Sequence, residues 1–262
     1  MSTARIELKD VSVRFRRYEQ TSNGIKEAVM RFLRPPAWTK TGLKREPYFW
    51  GLKNINLTLN EGDRLGIIGH NGAGKSTLLK VLSRVYRPTS GQISVTGRVA
   101  PLIEIGAGFA PDLSGRENVF LNGTIMGIPT RTLTNRMGSI VQFSELEDFI
   151  DTPVKYYSTG MYLRLAFTLA TEVIPDILIL DELYAGGDVT FVEKGNKRLD
   201  TFVRSSKILI LVAHQMEYIQ RFCNRVLVMD AGQIIGDGSP DEMIPRYLAH
   251  MRGDEGAFHV PV

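Results

Sequence analysis

Residues 69–76 constrain the fold of this chain more than any other stretch. They read Gly-His-Asn-Gly-Ala-Gly-Lys-Ser and fit G-x-x-x-x-G-K-[ST], the pattern of a phosphate-binding loop. Glycine tolerates the backbone angles that turn successive N–H groups inward toward phosphate oxygens. Lys75 supplies a positive charge to the β- and γ-phosphates, and the Ser76 hydroxyl is a ligand for Mg²⁺. The sequence therefore predicts a site for a nucleoside triphosphate.

The residues on either side of the loop support this interpretation over a chance glycine-rich turn. A short apolar strand at 64–68 precedes the loop, and residues 77–82 read as a helix whose N-terminus adds its dipole to the anion site. Lys75 is also a candidate catalytic cation. The predicted nucleotide contacts of this region are Gly69, Asn71, Gly72, Ala73, Gly74, Lys75, Ser76 and Thr77.

Two further apolar strands end in residues that suit phosphate chemistry. Residues 177–180 are followed by Asp181 and Glu182, at the strand end where ligands gather on parallel sheets. Asp181 would hold Mg²⁺ through water, and Glu182 is placed to act as the general base for the attacking water. The second strand, 208–213, ends at His214, and a lone histidine there is usually structural.

Composition indicates an ordinary globular protein in a reducing compartment. The 262 residues allow one large α/β domain or a core with a subdomain, and 43% of them are hydrophobic and 23% charged. No apolar run approaches the length of a membrane span, and the N-terminus lacks the apolar region of a signal peptide. The single cysteine, Cys223, excludes an internal disulfide and is expected in the core. We therefore expect a cytoplasmic protein.

Positive charge is concentrated near the N-terminus. Residues 1–50 hold 11 Lys/Arg against 5 Asp/Glu, and the remainder holds 21 against 23. Such a segment could face anionic lipid or nucleic acid, or simply be a solvated surface. Within it, 23–34 reads as a basic amphipathic helix for a membrane surface or a partner helix, or for packing on its own domain. Its apolar stripe consists of Ile25, Ala28, Val29, Phe32 and Leu33.

The coarse pattern predicts one domain with two insertions. Residues 1–105 and 174–238 read as a strand-rich nucleotide-binding core, and its first strand is expected to turn at Lys9-Asp10. Residues 106–173 read as a helical insertion into the sheet. Residues 239–262 read as a final helix followed by a frayed tail.

The phosphate loop, Asp181-Glu182 and His214 resemble, in order and spacing, those of the nucleotide-binding subunit of ABC transporters, over nearly the whole chain. This resemblance implies an α/β fold of the P-loop NTPase class, of the ABC ATPase type. That fold has a mixed core sheet, an antiparallel β subdomain and an inserted helical subdomain. It also implies ATP hydrolysis with Mg²⁺.

The resemblance assigns roles to residues outside the phosphate loop. Residues 157–161, Tyr-Ser-Thr-Gly-Met, resemble the family's signature loop but depart from the common Leu-Ser-Gly-Gly-Gln. There Ser158 and Gly160 would meet the ATP held by the opposite subunit, so that two copies sandwich two nucleotides. His214 would contact the γ-phosphate and the attacking water, and Asp188 resembles the loop that links the two sites.

Two assignments fall where the sequence departs from the family pattern or offers a choice. An aromatic ring stacks on adenine in the family, and Phe15 is the first candidate, with Phe49 and Trp50 as alternatives. The glutamine that couples the site to the membrane partner has no clear counterpart. Glu104 stands near its place.

The departures themselves resemble one branch of the family. The signature loop, the Glu-containing loop followed by Gly-Arg-Glu-Asn at 115–118, and the insert at 23–34 resemble exporters of lipid-linked polysaccharides such as O-antigen, capsule, teichoic acid and galactan. The resemblance implies a homodimer beneath two copies of a separate membrane permease, with no nucleic acid partner.

Two alternative functions remain from the sequence. One is an ABC exporter of a drug or other small molecule. The other is a soluble ABC ATPase of translation or DNA repair, but the chain has one phosphate loop and no sustained heptads.

Overall fold

The computed structural model describes residues 3–16, 47–102, 106, 108–181, 189–213, 215–254 and 258. The predicted helix at 23–34 lies outside these residues, as do four predicted site residues: Glu104, Glu182, Asp188 and His214.

The described residues form nine strands in two sheets. In chain order the strands are β1 (Arg5–Arg16), β2 (Tyr48–Asn60), β3 (Arg64–Ile68), β4 (Ser90–Thr96), β5 (Val99–Leu102), β6 (Ile177–Asp181), β7 (Ile208–Val212), β8 (Arg225–Asp230) and β9 (Gln233–Gly238). One sheet is antiparallel, with the order β2-β1-β4. The other has the order β5-β6-β7-β3-β8-β9 and is parallel except for the β8–β9 pair. The predicted mixed core sheet and antiparallel subdomain are confirmed.

The described part of the chain has seven α-helices. They are α1 (Lys75–Leu82), α2 (Gly115–Ile125), α3 (Thr130–Ser144), α4 (Thr159–Ala170), α5 (Val189–Ser205), α6 (Met216–Phe222) and α7 (Pro240–Met251). Three begin at serines whose hydroxyl accepts a first-turn N–H group, which explains why these helices start where they do: Ser114, Ser158 and Ser239. Within the described residues, no helix has the length and hydropathy needed to cross a bilayer.

The four central strands of the mixed sheet, β6, β7, β3 and β8, are buried on both faces, and alternate residues of each enter different cores. In β7, for example, Ile210 enters the inner cluster, whereas Leu209 and Leu211 enter the outer cluster. The inner cluster lies between the two sheets and α1, and the outer cluster lies beneath α5, α6 and α7. Helices α2, α3 and α4 have a core of their own, the helical cluster, which contains Val119, Leu133, Ile140, Leu165 and Leu169.

One local expectation is wrong. Strand β1 does not turn at Lys9-Asp10; the pairing register shifts between Leu8 and Val11 instead, and Asp10 adopts a φ of 50°. The Asn56 side chain accepts a hydrogen bond from the Asp10 N–H and donates one to the Asp10 carboxylate. The strand therefore continues through a bulge. The predicted frayed tail is interrupted at Phe258, which is buried because its ring packs against α7 and the β9 glycine Gly236.

Candidate nucleotide-binding site

The phosphate loop joins β3, a central strand of the mixed sheet, to α1. Glycine is required at positions 69 and 74 of the loop because backbone atoms of other strands approach closely there. A Cβ atom at Gly69 would fall on the carbonyl oxygen of Met229, and one at Gly74 would lie 2.7 Å from the Gly51 carbonyl oxygen. Gly74 also has a φ of 103°, which other residues rarely adopt. The loop is therefore curled tightly against β2 and β8.

Main-chain hydrogen bonds fix the loop to its surroundings. The Gly232 N–H, in the β8–β9 turn, donates to the Ala73 carbonyl at 2.9 Å, and the Lys53 N–H donates to the Gly232 carbonyl at 2.9 Å. Ala73 is fully buried in the inner cluster. These contacts hold the loop on rigid elements, which is what precise phosphate binding needs.

The donors at the mouth of the loop fit a triphosphate. The first N–H groups of a helix have no partner within the helix, and Gly74 at the N-cap of α1 has no side chain that could accept from them. The Lys75 ammonium donates to the carbonyls of Gly69 at 2.7 Å and His70 at 2.9 Å, so it lies folded over the loop. This combination of a positive charge and inward N–H groups is suited to phosphate oxygens.

The strand register places Asp181 on the same edge of the sheet. Val212 of β7 pairs with Asp181 on one side and with Ile67 of β3 on the other. Asp181 therefore lies level with the end of β3, two strand spacings or about 10 Å from it across the sheet. Carboxylate and hydroxyl oxygens are ligands that Mg²⁺ prefers, so Asp181 and Ser76 suit that ion chemically.

The three aromatic residues that could stack on adenine do not all lie on the same face of the antiparallel sheet. Phe15 and Phe49 are paired across β1 and β2, and their ring centroids are 5.5 Å apart. The Gly51 position lies between the Phe15 ring and the Thr77 methyl group of α1, which puts this pair beside the phosphate loop. Trp50 faces the opposite side of β2 because side chains alternate along a strand. The choice of Phe15 stays a prediction, and the geometry favours Phe15 and Phe49 over Trp50.

The predicted signature residues lie elsewhere, at the N-terminus of α4. The Ser158 hydroxyl accepts from the Met161 N–H at 3.2 Å, as the sequence predicts for a helix cap. A Cβ atom at Gly160 would meet only the Ser158 hydroxyl, at 3.9 Å. Packing against the residues that the structure describes therefore gives no reason for glycine here. Ser158 and Gly160 belong to the helical part of the molecule, whereas the phosphate loop belongs to the inner cluster.

Sequence reasoning did not assign roles to several residues that shape the site. The His70 ring lies between Asn71 and Asp230, with distances of 2.6 Å from Nδ1 to the Asn71 carbonyl and 2.7 Å from Nε2 to the Asp230 carboxylate. The position of His70 inside the phosphate-loop motif was the available signal. Tyr162 of α4 donates to the Gly106 carbonyl at 2.7 Å, which joins the signature helix to the loop before α2.

The Gly-Arg-Glu-Asn stretch at 115–118 has a structural explanation for each residue. Gly115 packs against the Tyr157 hydroxyl and Ile150, and Arg116 makes a two-point ion pair with Asp151. The Glu117 carboxylate completes a capping box with Ser114, which lowers the pKa of Glu117. The Asn118 amide is buried and ties down the turn before α2.

A phosphate loop on a central parallel strand, with an acidic strand end on the same sheet edge, defines a P-loop nucleoside triphosphatase. The model of the ABC transporter family matches residues 52–185, about half of the chain. The chain belongs to the ABC transporter family, as an ABC-type ATPase that binds ATP, and the family, fold and enzyme class predicted from the sequence are confirmed.

Similar proteins support the predicted branch of the family. The chain is 44% identical over 244 residues to the "O-antigen export system ATP-binding protein RfbB" of Myxococcus xanthus, covering 92% of this chain and 54% of that protein. It is 37% identical to the protein of the same description from Klebsiella pneumoniae, covering 94% of this chain and 98% of that one. It is 41% identical over 204 residues to the "Teichoic acids export ATP-binding protein TagH" of Lactococcus lactis, covering 78% and 44%. The chain thus spans about half of the first and third relatives and nearly all of the second.

Solved structures share the fold. An ATP-binding subunit of an ABC transporter superposes with a TM-score of 0.65 at 20% identity, covering 97% of this chain and 95% of that one. A dimeric, post-hydrolysis ATP-binding cassette, MJ0796 bound to ADP and Pi, superposes with a TM-score of 0.64 at 20% identity, covering 90% and 98%. At this identity the likeness speaks for the fold alone.

Proposed function

We propose that this chain is the ATP-hydrolysing subunit of an exporter that moves lipid-linked polysaccharide across the cytoplasmic membrane. The observation that carries the proposal is the 37% identity to the O-antigen export protein of K. pneumoniae, which extends over almost the full length of both chains. The predicted substrate class rests on the same similarity. The transport path would belong to a separate permease, present in two copies.

In this proposal each residue of the site has its own role in ATP hydrolysis. The N–H groups of the phosphate loop and the Lys75 ammonium would hold the phosphates, and Ser76 and Asp181 would hold Mg²⁺, whose charge offsets that of the phosphate oxygens. Glu182 follows Asp181 directly and would accept the proton of the attacking water. His214 follows β7 and would orient that water and the γ-phosphate.

The second half of the site is supplied by another copy of the chain in this proposal. Ser158 and Gly160 stand at a helix N-terminus away from the phosphate-loop core, and no described residue fills the space beside Gly160. Two copies arranged head to tail would bring each Ser158 to the nucleotide held by the other copy, with Asp188 linking the two sites. The homodimer would lie peripherally on the cytoplasmic face of the membrane, with 23–34 at the interface and Glu104 near the permease.

Dimerisation gives the first test. The Glu182→Gln variant should bind ATP without turning it over and elute as a dimer in size-exclusion chromatography with light scattering. Adding Gly160→Glu should abolish this dimer while leaving the fold intact, because the new side chain enters open space and places negative charge toward the triphosphate. Gly138→Glu is the matched control, since Gly138 of α3 also has open space around it. A Glu182→Gln chain that stays monomeric at saturating ATP would contradict the sandwich.

The substrate gives the second test. The chain co-purified with its permease in lipid nanodiscs should show faster ATP hydrolysis when lipid-linked polysaccharide is added. Glu182→Gln in the same complex is the control for contaminating ATPases. Stimulation by a small hydrophobic drug, with no response to the polysaccharide lipid, would instead favour the alternative exporter.

A further inference from the structure

His70 places an ionisable ring inside the phosphate loop, where both ring nitrogens meet oxygen atoms. Nδ1 lies 2.6 Å from the Asn71 carbonyl oxygen, and Nε2 lies 2.7 Å from the Asp230 carboxylate. A carbonyl and an ionised carboxylate can only accept hydrogen bonds, so both nitrogens act as donors. The geometry is therefore that of the doubly protonated imidazolium.

The ring links the phosphate loop to the end of β8, beside a second link that the main chain makes to the β8–β9 turn. Asp230 ends β8, and two residues later the Gly232 N–H donates to the Ala73 carbonyl. The first link is a side-chain ion pair and the second is a main-chain hydrogen bond. The His70 carbonyl in turn accepts from Lys75 at 2.9 Å. A change in the protonation of the ring would therefore affect the position of the loop's backbone and that of the Lys75 ammonium, which faces the phosphates.

The two hydrogen bonds to the ring favour its protonated form. The hydrogen bond to the Asn71 carbonyl, followed by that to Asp230, raises the pKa of His70, and these outweigh partial desolvation and the positive charge of Lys75. Because the pKa is raised on folding, the ion pair contributes fully below the ordinary histidine pKa. Its contribution is lost as pH rises through the raised value.

We propose that His70 is a positioning residue for ATP. Its doubly protonated ring holds the phosphate loop in place through the ion pair with Asp230, and loss of one ring proton lowers the affinity of the loop for the phosphates. The inference deepens the proposed nucleotide site and rests on it. Nucleotide affinity should then depend on pH through a residue that does not itself take part in the chemistry.

Calorimetric titration of the full-length chain with Mg-ATP, from about pH 6 to about pH 9, covers the histidine range and tests this. The dissociation constant should rise about two- to fivefold with pH, the scale expected for losing an exposed ion pair. In His70→Gln it should be raised at low pH already and vary little with pH. The matched control is His250→Gln, which removes a histidine from α7 and should keep the wild-type profile.

A second measurement separates positioning from general stability. The NMR titration midpoint of the His70 ring should move toward the ordinary histidine value in Asp230→Asn. At low pH His70→Gln should be less stable than wild type by only the small amount expected for an exposed ion pair, and the two should have equal stability at high pH, where the pair is lost in both. If wild type and His70→Gln bind ATP with the same pH profile, the role of His70 is refuted and the nucleotide site stands. If the wild-type chain binds no Mg-ATP at any pH, the proposed function itself fails.

Discussion

Replacing Asn118 by alanine should release the turn that connects the loop after β5 to the helical part. The side chain is fully buried, and its Oδ1 accepts from the Ala110 N–H at 2.7 Å. Its Nδ2 group donates to the carbonyls of Ala110, Leu113 and Ser114 at 3.0–3.1 Å. The amide thus accepts from the Ala110 N–H and adds a donor to three carbonyls that also accept main-chain hydrogen bonds.

The expected cost follows from these contacts. An NH₂ group has two hydrogens, so three carbonyls share two donors, and Oδ1 adds one acceptor, for about three full hydrogen bonds in all. At about 1 kcal/mol net each, Asn118→Ala should lower the free energy of unfolding by about 3 kcal/mol. Asn118→Asp keeps the size and the acceptor but places a carboxylate against three carbonyl oxygens, and should not restore stability.

Urea unfolding gives the stability change, and amide hydrogen exchange gives its location. In Asn118→Ala the Ala110 amide should lose its protection, because its acceptor is gone. Thr124→Ala on the exposed side of α2 is the matched control and should change stability by less than about 0.5 kcal/mol. An Asn118→Ala protein with the wild-type urea midpoint and a protected Ala110 amide would refute this account of the turn.

Three further predictions concern other contacts of the fold. Tyr162→Phe should fold but lose about 1 kcal/mol in urea unfolding, since the Gly106 carbonyl loses the Tyr162 hydroxyl and keeps the longer hydrogen bond from the Phe109 N–H; an unchanged midpoint would contradict this. Cys223 should resist thiol reagents in the native state and react on unfolding, because burial raises its pKa to about 12; a fast native reaction would contradict it. The hydrogen bonds from Arg116 lower the pKa of Asp151, so their contribution is present at neutral pH and is lost as pH falls through the lowered value. Acid titration of stability should therefore be flatter in Arg116→Ala than in wild type.

Most of the fold could be predicted from local sequence patterns, because each of these patterns depends on residues that are close together in the chain. Strand β6 reads as an apolar run ended by an acid, since both faces of a parallel strand are buried and its carboxyl end is not. Ser114 and Ser158 were recognisable as caps because a hydroxyl satisfies an N–H only three residues away. The phosphate loop was recognisable for the same reason, since its glycines and lysine act within one turn.

Contacts between distant residues could not be read in this way. His70 and Asp230 are 160 residues apart, and their pairing depends on β8 lying next to β3. The bulge at Asp10 depends on Asn56 of the neighbouring strand. The sequence places Phe258 in a frayed tail, and its burial depends on α7 and β9, which provide an apolar surface for its ring. In each case the partner is set by strand order or helix docking rather than by sequence spacing.

Two helical glycines show how a site completed by another molecule can be recognised in a single chain. Gly123 of α2 is explained by packing, because a Cβ atom there would lie 2.7 Å from the Leu133 methyl groups. Gly160 in the first turn of α4 has no such neighbour, although glycine is up to about 1 kcal/mol worse than alanine in a helix. Gly138 of α3 is equally open among the described residues, so an open glycine agrees with a close approach from another molecule only where other features point to a site, as the helix N-terminus at Ser158 does here. The open position of Gly160 therefore agrees with the proposed head-to-tail pairing, and the comparison of Gly160→Glu with Gly138→Glu is the experiment that distinguishes a site from an ordinary open glycine.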